Sequence, residues 1–388
     1  MMAGKSARLY YVTYFAAGAL LLLCGSAPAA QARRAPIDAP AAASAPAPAP
    51  EVSVTFDDSA VRQLLTMVEK RDTDDSHLEA WLDLPANKRL LEVGAQEENL
   101  TRAQLKANAL EVINGKATEA SMPSDDMGCV RVEPTADYER MLGGLAASST
   151  VRSQQIADRV KQFCPPGIKI KETVYLHLGG DWDAVNYEGS VYVNIRYWRE
   201  GRAPGWDGLN MIIAHETMHT VQNQAYGNPQ LQDTGSGAWL TALSKIQREG
   251  TARLVEYDTD AYAYRPNTYG FYERAIDTET LRSFPRDLAL LTGLCDSCFP
   301  AFDHEKFVDE FTNGMNLGGP YYDIGHGVAK AIDDKLGRQA LIGTVAGGPK
   351  AFFGAYSDLC KSDSKLPKLP DKVAAAIAQM PERVGDSK

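Results

Sequence analysis

The sequence predicts an α+β protein, predominantly helical, with a small antiparallel-type sheet packed on a helix that carries His215-Glu216-Thr217-Met218-His219. Three observations predict it. Apolar residues recur at helical spacing over most of the chain, as in Val61, Leu64, Leu65 and Val68. Two short runs alternate instead, Thr173–Leu178 and Ser190–Ile195, with a polar turn between them. The five-residue motif has chemical sense only on a helix, where residues i and i+4 project from one face.

Composition sets the class. The chain has 388 residues, 44% hydrophobic and 23% charged, which is globular. Lys+Arg number 40 and Asp+Glu 50, a net charge of −10. A nucleic-acid partner is not expected, because displacing counterions from phosphate requires a basic face. A basic membrane-surface protein is disfavoured for the same reason.

The elements follow in order. Residues 1–32 read as a secretory signal peptide: Lys5 and Arg8, then an apolar run from Tyr10 to Cys24, then small-x-small sites at Ala27-Pro28-Ala29 and Ala30-Gln31-Ala32. The run falls short of the roughly 20 residues a membrane span needs. An uncleaved anchor is the alternative, and Cys24 offers lipid attachment as a third. Leu23, however, stands where bacterial lipoproteins carry a small residue. No later segment is apolar enough to span a bilayer, so an extracytoplasmic location is expected, periplasmic or secreted. Residues 33–50 form an Ala/Pro-rich linker, too poor in large apolar groups to build a core. Residues 51–165 read as an N-terminal helical subdomain without chemistry, 166–365 as the catalytic domain and 366–388 as a C-terminal tail.

Export makes disulfides the default for the remaining cysteines, Cys129, Cys164, Cys295, Cys298 and Cys360. Cys129 with Cys164 is the most natural pair. A bridge from Cys295 or Cys298 to Cys360 is favoured over a redox or metal role for Cys295-Asp-Ser-Cys298.

The motif carries the chemistry. His215 and His219 can reach one cation, while Glu216 sits about 100° round the helix, where it can act as a general base on water beside that cation. Three fixed residues of these types arise by chance in roughly one chain of this length in a hundred. The alternative is a core helix that happens to hold two His and a Glu. A catalytic zinc needs a third protein ligand. His177, His304 and His326 are candidates, but the next helix offers a better one. Ala242, Ile246 and Glu249 line one side of Trp239–Glu256, which places a carboxylate in a row of small or apolar residues. Glu256, two turns on, fits a supporting role on an imidazole and is the main rival for the ligand position. The bland reading of Glu249 is a surface pair with Lys245.

His215, Glu216 and His219 followed by Glu249-Gly250-Thr251-Ala252 resemble the gluzincin metallopeptidases. The pattern is similar to that of uncharacterised exported zinc-dependent proteases of bacteria. The resemblance implies Zn2+ held by His215, His219 and Glu249, and a peptide or protein substrate aligned on an edge strand. It also implies a downstream Tyr or His that steadies the oxyanion, here Tyr322 or otherwise His326, with Tyr321 a weaker version. The expected activity is that of a zinc metallopeptidase. The rivals are a zinc hydrolase of non-peptide amides, an inactive extracytoplasmic binding protein and, for the metal, non-haem iron.

Overall fold

The computed structural model describes residues 48–97, 100–116, 135–179, 183–198, 205–230, 232–257, 282–315 and 319–381. The signal segment, Cys24, most of the linker and Cys129 lie outside them. The fold is α+β and predominantly helical, as the sequence predicts.

The first element among the described residues is a strand, where the sequence predicts a helical subdomain. β1 (Glu51–Asp57) buries Val52 and Val54 and leaves Glu51, Ser53 and Thr55 exposed, a period of two. Its partner is far away in sequence. β1 runs parallel to β2 (Lys169–His177), with Glu51 opposite Lys169 and Asp57 opposite Tyr175. Between them come α1 (Ser59–Lys70), α2 (Asp75–Leu82), α3 (Pro85–Glu97), α4 (Arg102–Ile113) and the long α5 (Thr135–Lys161).

The sheet is mixed, not antiparallel. Its order is β1-β2-β4-β3, where β3 is Ala184–Tyr187 and β4 is Ser190–Asn194. The two alternating runs noted in the sequence do not form a hairpin with each other. They are the parallel neighbours β2 and β4, and the hairpin is β3 with β4. Glu188 and Gly189 both take positive φ (49° and 75°), the two-residue turn that suits the right-handed twist of a hairpin.

The motif helix α6 (Gly205–Ala225) crosses this sheet. Every residue from 208 to 219 is buried, so α6 is enclosed rather than amphipathic. The sheet and α5 cover it on two sides, and α7 (Gly235–Tyr257) covers it on a third. After α7 come the helical stretch 282–287 (α8), α9 (Leu291–Cys298) and α10 (His304–Met315). Next are α11 (Pro320–Leu336), α12 (Arg338–Ser362) and α13 (Asp371–Ala378). α11 packs most heavily on α7. They cross backbone to backbone, since a Cβ at Gly250 would overlap Gly325. The segment read as a tail contains α13, which buries Val373 and Ile377 against α9 and α12.

The expected bridge from Cys295 or Cys298 to Cys360 is not formed. Cys164, Cys295, Cys298 and Cys360 are all buried free thiols. Burial pushes the thiols of Cys164 and Cys298 up to about 12, which keeps them unreactive. Cys295 and Cys298 lie on α9, and Cys360 sits on α12, its Sγ 3.5 Å from the carbonyl of Pro367. Among the described residues, no helix is long and apolar enough to cross a membrane.

Candidate metal centre

α6 and α7 run side by side, and the cluster lies between them. His215, Glu216 and His219 come from α6, Glu249 and Glu256 from α7, and each is at most 8% exposed. The imidazoles of His215 and His219 stand edge to face, 5.0 Å between centroids. One oxygen of Glu249, Oε2, lies 3.4 Å from Nε2 of His215 and 3.5 Å from Nε2 of His219. The other oxygen, Oε1, accepts from Nζ of Lys245 at 2.7 Å. The Lys245 pair and the cluster contact weighed as alternatives in the sequence therefore coexist.

The far nitrogens of both rings are also engaged. Nδ1 of His215 is 3.0 Å from Oε2 of Glu256. Nδ1 of His219 is 2.9 Å from Oε1 of Gln222. Both partners are acceptors, so each ring has a hydrogen on Nδ1 and directs Nε2 toward Glu249.

This set fits a zinc ion. Zn–N and Zn–O bonds of about 2.0–2.1 Å at a tetrahedral angle set ligand atoms roughly 3.3 Å apart. Two of the three edges of the Nε2, Nε2, Oε2 triangle measure 3.4 and 3.5 Å. The donor types, two imidazoles and a carboxylate, suit zinc. Glu216 offers its own oxygen within 4.8 Å of the two histidines. It stands on the same helix turn as His215, whereas Glu249 approaches both imidazoles at once from another element. The structure thus brings together His215, His219 and Glu249, and it puts Glu256 behind His215.

The electrostatics describe a site crowded with carboxylates. Burial pushes the Glu216 carboxyl up to about 7, opposed by His215 and reinforced by Glu249 and Asp183. Burial works to discharge His215, but Glu249 and Glu256 outweigh it and raise the imidazole to about 10. Burial pulls His219 down to about 4. Burial favours the neutral acid of Glu249, yet Lys245 and the two histidines hold it well below the usual carboxylate range.

Tyr322 enters from the first turn of α11 and is 7% exposed. Burial raises its hydroxyl well above the usual range, and the charges of Glu249, Glu216 and Asp183 act on it with the opposing Arg253. It therefore remains protonated. Arg253 lies 4.8 Å over the Tyr322 ring and pairs with Asp323 at 3.0 Å, which ties the Tyr to α7. His326 is fully buried one turn further along α11. Tyr321 packs toward Phe311 and Gly314 on α10. His177 is buried at the end of β2, where burial and Arg196 lower it to about 3, and His304 is half exposed at the start of α10. Neither joins the cluster.

Two polar residues at the cluster escaped the sequence reading. Asp183, just before β3, is coupled electrostatically to His215, Glu216 and Tyr322, while burial raises its own carboxyl. No spacing rule points to it. Gln222 is three residues after His219 on the same helix face, a signal that was available.

Two imidazoles one helical turn apart, a carboxylate from the next helix and a buried glutamate form an HExxH cluster whose donors suit a metal ion. The chain belongs to the family DUF5700, described as "putative zinc dependent peptidase", which it matches over residues 78–365. No curated protein and no solved structure matches it. The family match supports a zinc peptidase at that coarse level.

Proposed function

We propose that the protein is an exported gluzincin-type zinc metallopeptidase that hydrolyses peptide bonds, with Glu216 as general base. The observation that carries this reading is the single Glu249 oxygen set 3.4 and 3.5 Å from the Nε2 atoms of His215 and His219. Those three residues would hold the ion. Bound zinc supplies Lewis-acid polarisation of the carbonyl and acidifies a water molecule.

The chain's own groups do the rest. Glu216, whose carboxyl burial raises, takes a proton from water and releases it to the leaving amine. Tyr322 keeps its hydrogen and donates to the oxygen on which negative charge develops. His326, fully buried one turn further along α11, is the alternative donor in this reading. Burial of all these groups excludes water and strengthens each interaction. Export is supported by the layout of residues 1–32, which has a mature N-terminus after Ala29 or Ala32.

The test is a Glu216→Gln variant of the mature chain, assayed for zinc content and on a broad peptide library. The expected result is full zinc occupancy with hydrolysis reduced at least 100-fold. Wild-type protein that holds zinc but cleaves no peptide, while cleaving a non-peptide amide, would move the assignment to an amide hydrolase. Zinc without cleavage of any amide would make it a binding protein.

A further inference from the structure

The two imidazoles are supported differently. Behind His215 stands a carboxylate, Glu256, from the neighbouring helix. Behind His219 stands a neutral amide, Gln222, from its own helix one turn on. Gln222 is 4% exposed, and its amide orientation is not free. Nε2 donates to the backbone carbonyl of Arg248 at 2.9 Å, a residue of α7 adjacent to Glu249. With the NH2 group committed there, the carbonyl oxygen Oε1 must face His219 Nδ1 and can only accept.

We infer that Gln222 is the positioning residue of the second metal-binding imidazole. It fixes the hydrogen of His219 on Nδ1, presents the Nε2 lone pair and ties that ring to the backbone next to the third ligand. A neutral imidazole has one N–H and one lone pair, and unheld it exchanges the two. An unheld ring must surrender the Nε2–H tautomer and a rotational freedom each time it binds an ion. The bond to Arg248 adds a geometric consequence: His219 on α6 and Glu249 on α7 are registered against each other through one side chain. The amide also serves where a further carboxylate would add to Glu216, Glu249, Glu256 and Asp183. This inference rests on the zinc reading above, and its test reads metal affinity rather than hydrolysis.

The experiment measures zinc affinity of the mature chain by competition with a chromophoric chelator, for wild type, Gln222→Met and Gln222→Glu. The Co2+ absorption spectrum and the melting temperature of the metal-free protein are recorded in parallel. Gln222→Met keeps the volume and removes the acceptor, so zinc binding falls about 10- to 100-fold, with a changed Co2+ spectrum. Gln222→Glu keeps an acceptor and loses the donor to Arg248, so zinc binds at least as tightly as in wild type, while the metal-free protein melts lower. Affinity in Gln222→Met within twofold of wild type overturns the inference. Equal losses in both variants overturn it too, since the tether to Arg248 would then be the whole effect. A wild type with no zinc affinity sinks the zinc reading itself, which is a different result from either.

Discussion

Glu249 divides its carboxylate between two tasks, Oε1 to the Lys245 ammonium and Oε2 to both imidazoles. Glu256 stands behind His215, its Oε2 3.0 Å from Nδ1. Truncating them should therefore differ. Glu249→Ala removes a ligand atom and should abolish stoichiometric zinc in the purified protein, measured by atomic emission. Glu256→Ala should keep zinc but weaken it by about 10- to 100-fold. The reverse ranking would make Glu256 the ligand. A third carboxyl acts on the opposite side of α6. Glu172 on β2 is 1% exposed and accepts from Asn186 at 3.0 Å and from the Thr220 hydroxyl at 2.6 Å. Burial pushes it from 4.5 up to about 7. The folded chain thus binds this proton more tightly than the unfolded chain. Its stabilisation is complete below about pH 4.5 and is lost as pH rises toward 7, an effect of about 3 kcal/mol. Glu172→Gln should flatten that part of the stability–pH curve in urea titrations. A Glu216→Gln background silences the other buried carboxyl of the same range. An unchanged slope would mean that Glu172 ionises freely in the fold.

At the scale of elements, the crossing of α7 and α11 governs the site. Gly250 meets Gly325 with no room for a side chain, while Glu249 and Tyr322 sit one and three residues from that contact on their respective helices. Gly250→Ala should destabilise the protein by about 1–3 kcal/mol through overpacking. Zinc binding should weaken as well, because Glu249 moves with the helix. Urea unfolding and zinc competition check the two effects, and wild-type stability would show that the helices separate without strain. Much of this was legible in the sequence. The i, i+4 histidines declare their helix, and the small residues after Glu249 mark a close approach. The mixed sheet was not. β1 shows its alternation plainly in Glu51–Asp57, but seven residues next to an Ala/Pro linker gain strand identity only from a remote partner. Asp183 was invisible for a related reason: it reaches the cluster through the chain path between β2 and β3.

On the whole-molecule scale, the N-terminal segment is part of the sheet. Loss of β1 would expose a full edge of β2 together with apolar groups on α5, against which β1 packs. A chain starting at Ser59 should therefore lose its cooperative thermal transition. A sharp transition within a few degrees of the full mature chain would show β1 to be dispensable. The family match begins at residue 78, so β1 and α1 lie before the shared region, and β1 nonetheless completes the sheet. The buried thiols belong to this scale as well. A fold read as needing bridges reaches a closed core without them among the described cysteines.

The β1–β2 pairing also imposes an order on biosynthesis. Ser53 bonds to Ile170, 117 residues downstream. At 5–20 residues added per second, the first strand waits roughly ten seconds for its mate to emerge. During that wait it has one apolar face and open hydrogen-bonding groups, and the helices α1 to α5 after it can already have condensed. Nascent copies are thus most exposed to one another late in elongation, and a holding chaperone would have its natural client in the leading end of the polypeptide.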